Sequence, residues 1–339
     1  MKNRTTILYF SLISCMFVLI FVDLKTGSVS ISFSELFAFL NSDLSFEKTN
    51  IISQFRFPKM CTALLAGASL SVCGVLMQTL FQNPLAGPYV LGINSGANFM
   101  VAVFMLGGTT ILGSSEVFIS SIGIQGAAVT GACAMLLFML MISEKMNQQS
   151  ALLLIGIMLA QLISALQSLL EFFANADQLK RFFIWNLGSI SNTTNQDVLV
   201  LFILVLLGCI AAVLVSHQLD VLSLGVNYST SLGINVKQLR IVIILITGLL
   251  AGIVTAYCGP IAFVGIAVPH ISRLLFKTSR HKIILTSSIL IGSILLLVCD
   301  IIAQLPGNGI ILPLNVITSI FGVPIIIYLL FKSSKNYFA

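Results

Sequence analysis

Few side chains in this chain could do chemistry, and the most informative of them lie in a break within a long uncharged stretch. Residues 82–88 read Gln-Asn-Pro-Leu-Ala-Gly-Pro, inside 56 residues, Met60 to Ser115, that carry no charged side chain. A membrane span uses about 20 apolar residues, so this stretch predicts two helices joined by a polar turn. Because lipid offers no hydrogen-bond partner to the backbone of such a turn, it must lie against protein or water. We expect this turn to border a path across the membrane.

The remaining candidates for ligand or proton chemistry stand alone. His270 has no histidine, cysteine or carboxylate at ligand spacing, so the sequence predicts no metal site and a helix-end histidine bonded to the backbone. Arg273 is expected to be a positive anchor on the inner side. Asp300, near the outer end of a span, is the better polar candidate, because a carboxylate inside a membrane usually has a partner or a water-filled neighbour.

Sequence patterns typical of enzymes are absent from the chain. It contains no Gly-x-x-x-x-Gly-Lys-[Ser/Thr], so it cannot cradle nucleotide phosphates by itself, and it has no His-Glu-x-x-His or Gly-x-Ser-x-Gly. We therefore expect it to bind no cofactor and to take energy from a partner or a gradient. A gradient-driven transporter would need several membrane-buried carboxylates, and only Asp300 and Glu171 qualify. That transporter class and an intramembrane enzyme remain the remoter alternatives.

Composition identifies the elements that must position these residues. The chain is 58% hydrophobic and 8% charged, with a mean hydropathy of +1.07, whereas a soluble domain has about 25% charged residues. We predict an all-α integral membrane protein in which residues 1–339 form one domain. Ten spans are predicted, at residues 6–22, 59–81, 90–107, 117–142, 151–173, 197–216, 239–257, 261–276, 282–303 and 313–331.

The distribution of charge predicts the orientation of these spans. With the N-terminus inside, the cytoplasmic segments hold 11 of the 17 Lys and Arg residues, which favours cytoplasmic N- and C-termini. An external segment at about 23–58 and a cytoplasmic loop at about 217–236 follow. Within the external segment, Ser32-Phe33-Ser34-Glu35 predicts a capped short helix. Since orientation explains the net charge of +6, no nucleic-acid partner is expected.

Glycine and proline mark breaks and close contacts. Structural breaks are expected at Pro84, Pro88, Gly259, Pro260 and Pro269. The tetrapeptide Leu-Leu-Ala-Gly at 64–67 recurs at 249–252, on spans that run in opposite directions, and indicates a weak inverted repeat. The glycine pairs Gly92/Gly96 and Gly248/Gly252 place two glycines on one helix face, either for packing inside the subunit or for a dimer contact.

Three segments carry a resemblance to a known family. The first starts as Arg56-Phe57-Pro58-Lys59, contains Leu64-Leu65-Ala66-Gly67 and ends in Asn83-Pro84-Leu85-Ala86-Gly87-Pro88. The second, residues 258–273, reads CGPIAFVGIAVPHISR, and the third joins Leu312-Pro313-Leu314-Asn315 to Gly322-Val323-Pro324. In order and spacing, from about Arg56 to Leu330, they resemble the FecCD-type, BtuC-like permease subunits of ABC importers for iron chelates, haem and cobalamin.

The resemblance implies a type II importer fold and a set of partners. Two permease subunits, a homodimer in the simplest case and a pair of sibling chains in the other, would enclose a central pathway in a bacterial inner membrane. Two cytoplasmic ATPase subunits would use ATP and Mg, and an extracytoplasmic binding protein would deliver a metal chelate. Ferric siderophore is the first expectation for the substrate, followed by cobalamin and haem. The expected mechanism is alternating access, with one gate opening as the other closes.

Roles at the two membrane surfaces also follow from the resemblance. Basic residues at Arg56 and Lys59 would meet acidic side chains of the binding protein, while Gln304 stands where the family usually has Arg. The alternative for the two cations is plain interfacial anchoring. Asn83 and Leu85 match the loop that closes the cytoplasmic end of the pathway, and the alternative there is a simple turn with a capping Asn.

The loop at 217–236 resembles the family's paired coupling helices, which fit into a groove of the ATPase. The residues expected to carry this role are Asp220, Leu222, Leu224, Gly225, Leu232 and Gly233. Packing on the subunit's own inner face is the alternative. For the pathway wall we expect small and apolar residues of the second span, although these could equally pack on neighbouring helices; they are Ala66, Ser69, Val72, Gly74 and Met77.

Overall fold

The structure is a computed structural model that describes residues 2–29, 31–40, 45–107, 121–146, 148–306 and 311–337. Throughout these ranges the regular structure is helical, as predicted. The helices are α1 Lys2–Lys25, α2 Phe33–Leu40, α3 Phe46–Asn50, α4 Phe57–Leu80, α5 Ile93–Ala102, α6 Ser121–Lys145, α7 Gln149–Phe173, α8 Ala176–Asn186, α9 Asn195–Leu214, α10 Ser216–Leu222, α11 Val226–Ser231, α12 Val236–Cys258, α13 Val264–Phe276, α14 His281–Ala303 and α15 Leu314–Tyr337.

The predicted spans are found among these helices. Within the described ranges, seven helices are long and apolar enough to cross a membrane, and three shorter apolar helices, Ile93–Gly107, Val264–Phe276 and Leu314–Ile327, complete the ten. The predicted start of one span at 117 lies outside the described residues. The largest difference is at α4, because a π-helical segment, Ile51–Arg56, joins it to α3 as one helix of 35 residues. Part of the predicted external segment therefore extends this helix.

Helix α4 is the central element of the subunit, and two glycines allow its neighbours to approach. A Cβ at Gly67 would lie 2.1 Å from the carbonyl oxygen of Gly292 on α14, and one at Gly74 would lie 1.7 Å from the carbonyl oxygen of Gly265 on α13. A residue with a Cβ atom would not fit at either position, so both require glycine. Most of α4 is buried as a result.

Pro269 was predicted to break the chain, and this prediction is wrong, because α13 continues through it from Val264 to Phe276. Proline has no N–H, so it leaves the carbonyl of Gly265, four residues earlier, without its intrahelical donor. That carbonyl is the one that faces Gly74 on α4. Close packing against a glycine accommodates the proline inside the helix. The other expected breaks, Pro84, Pro88, Gly259 and Pro260, do lie outside the α-helices.

The glycine pairs serve packing inside the subunit. A Cβ at Gly248 would meet the side chain of Leu136 on α6 at 2.4 Å, and one at Gly96 would meet the carbonyl oxygen of Gly131 at 2.6 Å. The helices that carry the repeated Leu-Leu-Ala-Gly, α4 and α12, lie side by side and antiparallel, since Ser69 Oγ donates to Leu250 O (2.9 Å) and Cys73 Sγ to Thr247 O (3.7 Å). Opposite directions agree with the expected inverted repeat.

The external segment contains the short helix that its sequence predicts. Ser32 and Glu35 form a reciprocal capping pair at the start of α2, in which the Ser32 N–H donates to Glu35 Oε2 (2.8 Å) and the Glu35 N–H to Ser32 Oγ (3.3 Å). Lys48 pairs with Glu35 from the neighbouring α3. The segment is thus held by local polar contacts rather than by a large apolar core.

Candidate functional site

The polar turn at residues 82–87 follows the end of α4 and is held by contacts to its own backbone and to α13. Asn83 Oδ1 accepts a hydrogen bond from the Leu85 N–H (2.9 Å), and the Pro84 carbonyl accepts one from His270 Nε2 (2.9 Å). The predicted backbone bond of His270 is confirmed, although this residue lies within α13 and not at its end. Leu85 at the tip of the turn remains 43% exposed. The turn therefore has a fixed backbone and a projecting apolar side chain.

The loop at 217–236 lies at the same end of the bundle as this turn. It folds as α10 and α11, two short helices as expected, and Gln82 Nε2 donates to the Leu222 carbonyl at the end of α10 (3.3 Å). Leu222 is buried in the subunit, whereas Leu224, Tyr228 and Leu232 are 64%, 57% and 56% exposed. One face of the loop therefore packs on the subunit and the other leaves apolar side chains uncovered, and the coupling role of the uncovered face stays a prediction.

Two glycines give this pair of helices its shape. Gly225, between α10 and α11, has φ +111°, and Gly233, just after α11, has φ +82°. Residues other than glycine rarely adopt these φ angles, so the two positions require glycine. The resulting turns place Leu224 and Leu232 on the uncovered face.

Asp220 of α10 is engaged inside the subunit. Its Oδ1 atom accepts hydrogen bonds from the backbone N–H (2.7 Å) and from Nδ1 (2.8 Å) of His281, the first residue of α14. On the other side of the ring, His281 Nε2 lies 2.8 Å from Thr79 Oγ1 in the last turn of α4. Sequence reasoning missed His281 and Thr79, since neither belongs to a recognisable motif.

Beside this contact lies a polar cavity of about 490 Å³, whose lining includes Arg273, Lys277 and His281. Arg273 Nη1 donates to Gln78 Oε1 on α4 (2.6 Å). The guanidinium of Arg273 thus bonds to α4, and its expected role as a positive anchor on the inner side stays a prediction.

The three residues predicted to dock the binding protein meet at the opposite end of the bundle. Arg56 is 5% exposed and donates to the carbonyl oxygens of Leu24 (2.6 Å), Lys25 (2.8 Å) and Val29 around the C-terminus of α1. Such carbonyls have no intrahelical donor, so the cation stabilises the helix end.

Lys59 pairs with the predicted polar candidate of α14. Its Nζ lies 2.7 Å from Asp300 Oδ2, and Gln304 Nε2 donates to the same oxygen (3.0 Å). Asp23 of α1 is fully buried beside this pair. The expectation that Asp300 has a partner is confirmed. We call Asp23, Arg56, Lys59, Asp300 and Gln304 the outer cluster; its part in docking stays a prediction.

The residues expected to form the pathway wall face other helices of the same subunit. Ala66, Ser69, Val72 and Met77 are each 0–1% exposed, and Gly74 packs on α13. These positions lie in the centre of the bundle because the small residues of α4 allow helices to approach it closely from several sides. This wall assignment is wrong for the subunit as it stands.

Helix α7 offers a different candidate for the wall. Of its 25 residues only Leu152 and Gly156 are buried, and Gln161, Ser164 and Ser168 lie exposed on one face. Their spacing of three and seven residues aligns them along the helix. This polar line within an apolar span is visible in the sequence, but only the structure shows that the helices it describes leave these side chains uncovered.

Comparison with known proteins agrees with the resemblance noted above. The model of the FecCD transport family matches residues 15–332. A Helicobacter pylori protein named "Probable iron chelatin transport system permease protein" is 34% identical over 297 residues, which cover 87% of this chain and 86% of the relative. The Salmonella arizonae "Vitamin B12 import system permease protein BtuC" is 33% identical over 285 residues, or 83% of each chain.

A solved structure supports the fold. It is described as an inward-facing conformation of a metal-chelate type ABC transporter, and it superimposes with a TM-score of 0.84 at 27% identity over 95% of this chain and 98% of the other. The family model covers nearly the whole sequence, and two relatives exceed 30% identity over most of it. This chain therefore belongs to the FecCD transport family.

Proposed function

We propose that this chain is the permease subunit of an ATP-driven importer and that two copies of it enclose a pathway for a metal chelate, in the first place a ferric siderophore. Membership of a transport-permease family supports the general activity, and the relative named for iron chelatin transport supports the substrate. ATP and Mg would be used by a separate cytoplasmic ATPase, since the chain has no phosphate-binding motif. The membrane would be a bacterial inner membrane, with both termini in the cytoplasm.

The polar face of α7 is the observation that carries this proposal. Gln161, Ser164 and Ser168 are exposed on a helix that crosses the membrane. Polar groups that face lipid are costly, so such a face belongs beside water or another protein chain. A second copy of the subunit placed opposite α7 would shield this face and leave a polar wall between the copies. A bulky chelate requires a wide wall of this kind.

The inner end would contain the gate and the seat of the ATPase. Leu85 projects from a turn of fixed backbone, as a side chain that narrows a passage should. Leu224, Tyr228 and Leu232 form an uncovered apolar face that suits a groove of the ATPase. Gly225 and Gly233 shape this face, and Asp220 and Leu222 fasten it to the subunit.

The outer end would receive the binding protein. Arg56, Lys59 and Gln304 line a cavity of about 360 Å³ there. Because both cations already have partners inside the chain, an acidic side chain of the binding protein would reach them only by entering this cavity. Docking would then exchange one set of polar partners for another, which suits a partner that binds and leaves repeatedly.

Transport in sealed vesicles tests the proposal. Vesicles that contain the permease, its ATPase and the binding protein should take up ⁵⁵Fe-labelled ferric siderophore only when ATP is supplied. Gln161→Leu and Ser168→Leu should lower this uptake while ATP hydrolysis continues, because they make the wall apolar. Leu162→Met, an exposed apolar change on the same helix, is the control.

Two results would oppose the proposal. Uptake of ⁵⁷Co-cyanocobalamin in place of the iron chelate would reassign the substrate, in line with the vitamin B12 permease relative. Normal uptake by both α7 variants would remove the polar face of α7 from the pathway.

A further inference from the structure

We propose that Asp220, His281 and Thr79 form a latch that couples α10 to the last turn of α4, with His281 as a positioning residue for the gate. The proposal rests on the proposed function, since it assigns the route by which movement of α10 reaches the turn at Asn83 and Leu85. No motif marks the latch, and its residues come from three separate helices.

Hydrogen bonds join the imidazole ring of His281 to both neighbours. Thr79 Oγ1 lies 2.8 Å from both the Val75 carbonyl oxygen and His281 Nε2, and a hydroxyl can donate to a neutral ring nitrogen or accept from a protonated one. Asp220 as a carboxylate only accepts, so His281 Nδ1 carries the proton that bonds it at 2.8 Å. His281 therefore joins α4 to α10 with the ring either neutral or charged.

Burial gives these contacts their strength. Thr79 is 6% and His281 3% exposed, so loss of a partner is costly for either side chain, whereas the Asp220 side chain is 36% exposed. The charges that face the ring are Asp220 from α10 and Arg273 from α13, and Lys277 lines the adjoining cavity. Asp220 therefore offsets an otherwise positive surrounding. Its carboxylate is the group on which the latch depends.

The latch reaches the gate through a short, continuous path. Thr79 lies four residues before Asn83, and between them Gln82 makes its own bond to the Leu222 carbonyl of α10 (3.3 Å). Two contacts, one through His281 and one direct, thus bind α10 to the segment that leads into the turn. When an ATPase displaces α10, both contacts pull on the end of α4. The cavity of about 490 Å³ beside them leaves room for the displacement.

Amide hydrogen exchange of the purified permease tests the latch without any partner or substrate. Asp220→Ala should raise exchange in residues 78–87 by about tenfold, in addition to residues 216–222, because opening of α10 would release the end of α4. Coupling should also run from α4 to α10, so Thr79→Val should raise exchange in residues 216–222. Thr79→Ser, which keeps the hydroxyl, should restore the native pattern. His217→Ala, an exposed change on the same short helix, is the matched control. A rise confined to the mutated helix in both variants would overturn the proposal.

A second measurement separates positioning from simple stability. In vesicles with ATPase and binding protein, Thr79→Val should lower the amount of ⁵⁵Fe-ferrichrome moved per ATP hydrolysed, with ATPase binding unchanged, and Thr79→Ser should restore it. A normal ratio for Thr79→Val would argue against the latch. If the native permease neither binds an ATPase nor moves a chelate, the proposed function fails, and the exchange experiment alone still decides whether α10 and α4 are coupled.

Discussion

The two ends of the helix bundle differ in which side chains they bury and which they leave exposed. At one end, Arg56 and Lys59 are buried and bond to α1 and α14. At the other end, Leu224 and Leu232 are exposed, while Asp220 bonds to His281 of α14. Exposed apolar area favours lasting association, whereas satisfied polar groups favour brief encounters. Under the proposed function, this difference would suit an ATPase that stays bound at one end and a binding protein that docks briefly at the other.

The largest expected effect concerns the outer cluster. Lys59→Met leaves Asp300 and Asp23 buried without the lysine cation, and loss of one partner from a buried pair costs about 3–5 kcal/mol. The free energy of unfolding in detergent, from chemical denaturation, should fall by an amount of this order. Lys48→Met is the control, because its pair with Glu35 is much more exposed. If Lys59→Met weakened capture of the binding protein and left the free energy of unfolding unchanged, Lys59 would serve docking alone and the contrast between the ends would disappear.

A smaller effect is expected at the end that carries α10 and α11, where substitutions should change binding of the ATPase and not the stability of the subunit. Leu224→Ala and Leu232→Ala should each weaken binding of the ATPase, raising its Kd by about tenfold, as is common for apolar contacts at the centre of an interface. Both side chains are exposed in the subunit, so its own unfolding should change little. Titration of labelled ATPase into the permease in nanodiscs measures the Kd.

The control for this pair of variants is Leu222→Ala, a change at a buried position of the same loop. It should destabilise the subunit, since truncation of a buried leucine leaves a cavity. Loss of stability in the Leu224 or Leu232 variant would mean that these side chains pack within the subunit after all.

The smallest effect belongs to the external segment. Lys48 and the Ser32 cap lower the pKa of Glu35 to about 2. A lowered pKa means that the contact stabilises the fold above the ordinary glutamate pKa of about 4.5 and is lost as the pH falls toward 2. Amide exchange in α2 should therefore rise on acidification in the native chain and change less in Glu35→Gln. Equal acid sensitivity of the two proteins would show that other carboxylates control this segment.

Much of the fold could be predicted from the sequence because lipid imposes long apolar spans. The ten spans, the short helices at 217–236 and the cap at Ser32 depend on local pattern, and each is found. The wrong predictions concern the face of a helix on which a side chain lies. Ala66 and Ser69 suit a wall and a helix contact equally well, and only the positions of α9, α12, α13 and α14 decide between the two.

The candidate site was less accessible to prediction, because its contacts join distant parts of the chain. Lys59 and Asp300 are 241 residues apart in sequence, and Thr79 and His281 are 202 apart. Charge and spacing alone placed Arg56 and Lys59 at a membrane surface but could not show that partners inside the chain already occupy them. Pro269 was misassigned for a related reason, since the glycine that accommodates it lies on α4.

The contact of Gly74 with Gly265 has a mechanical consequence. Two backbones that touch, with a proline beside the point of contact, leave no side chains that could slide or change rotamer there. We expect α4 and α13 to move as one unit at this contact. The bond between His270 and the Pro84 carbonyl joins the same two parts of the chain close to it.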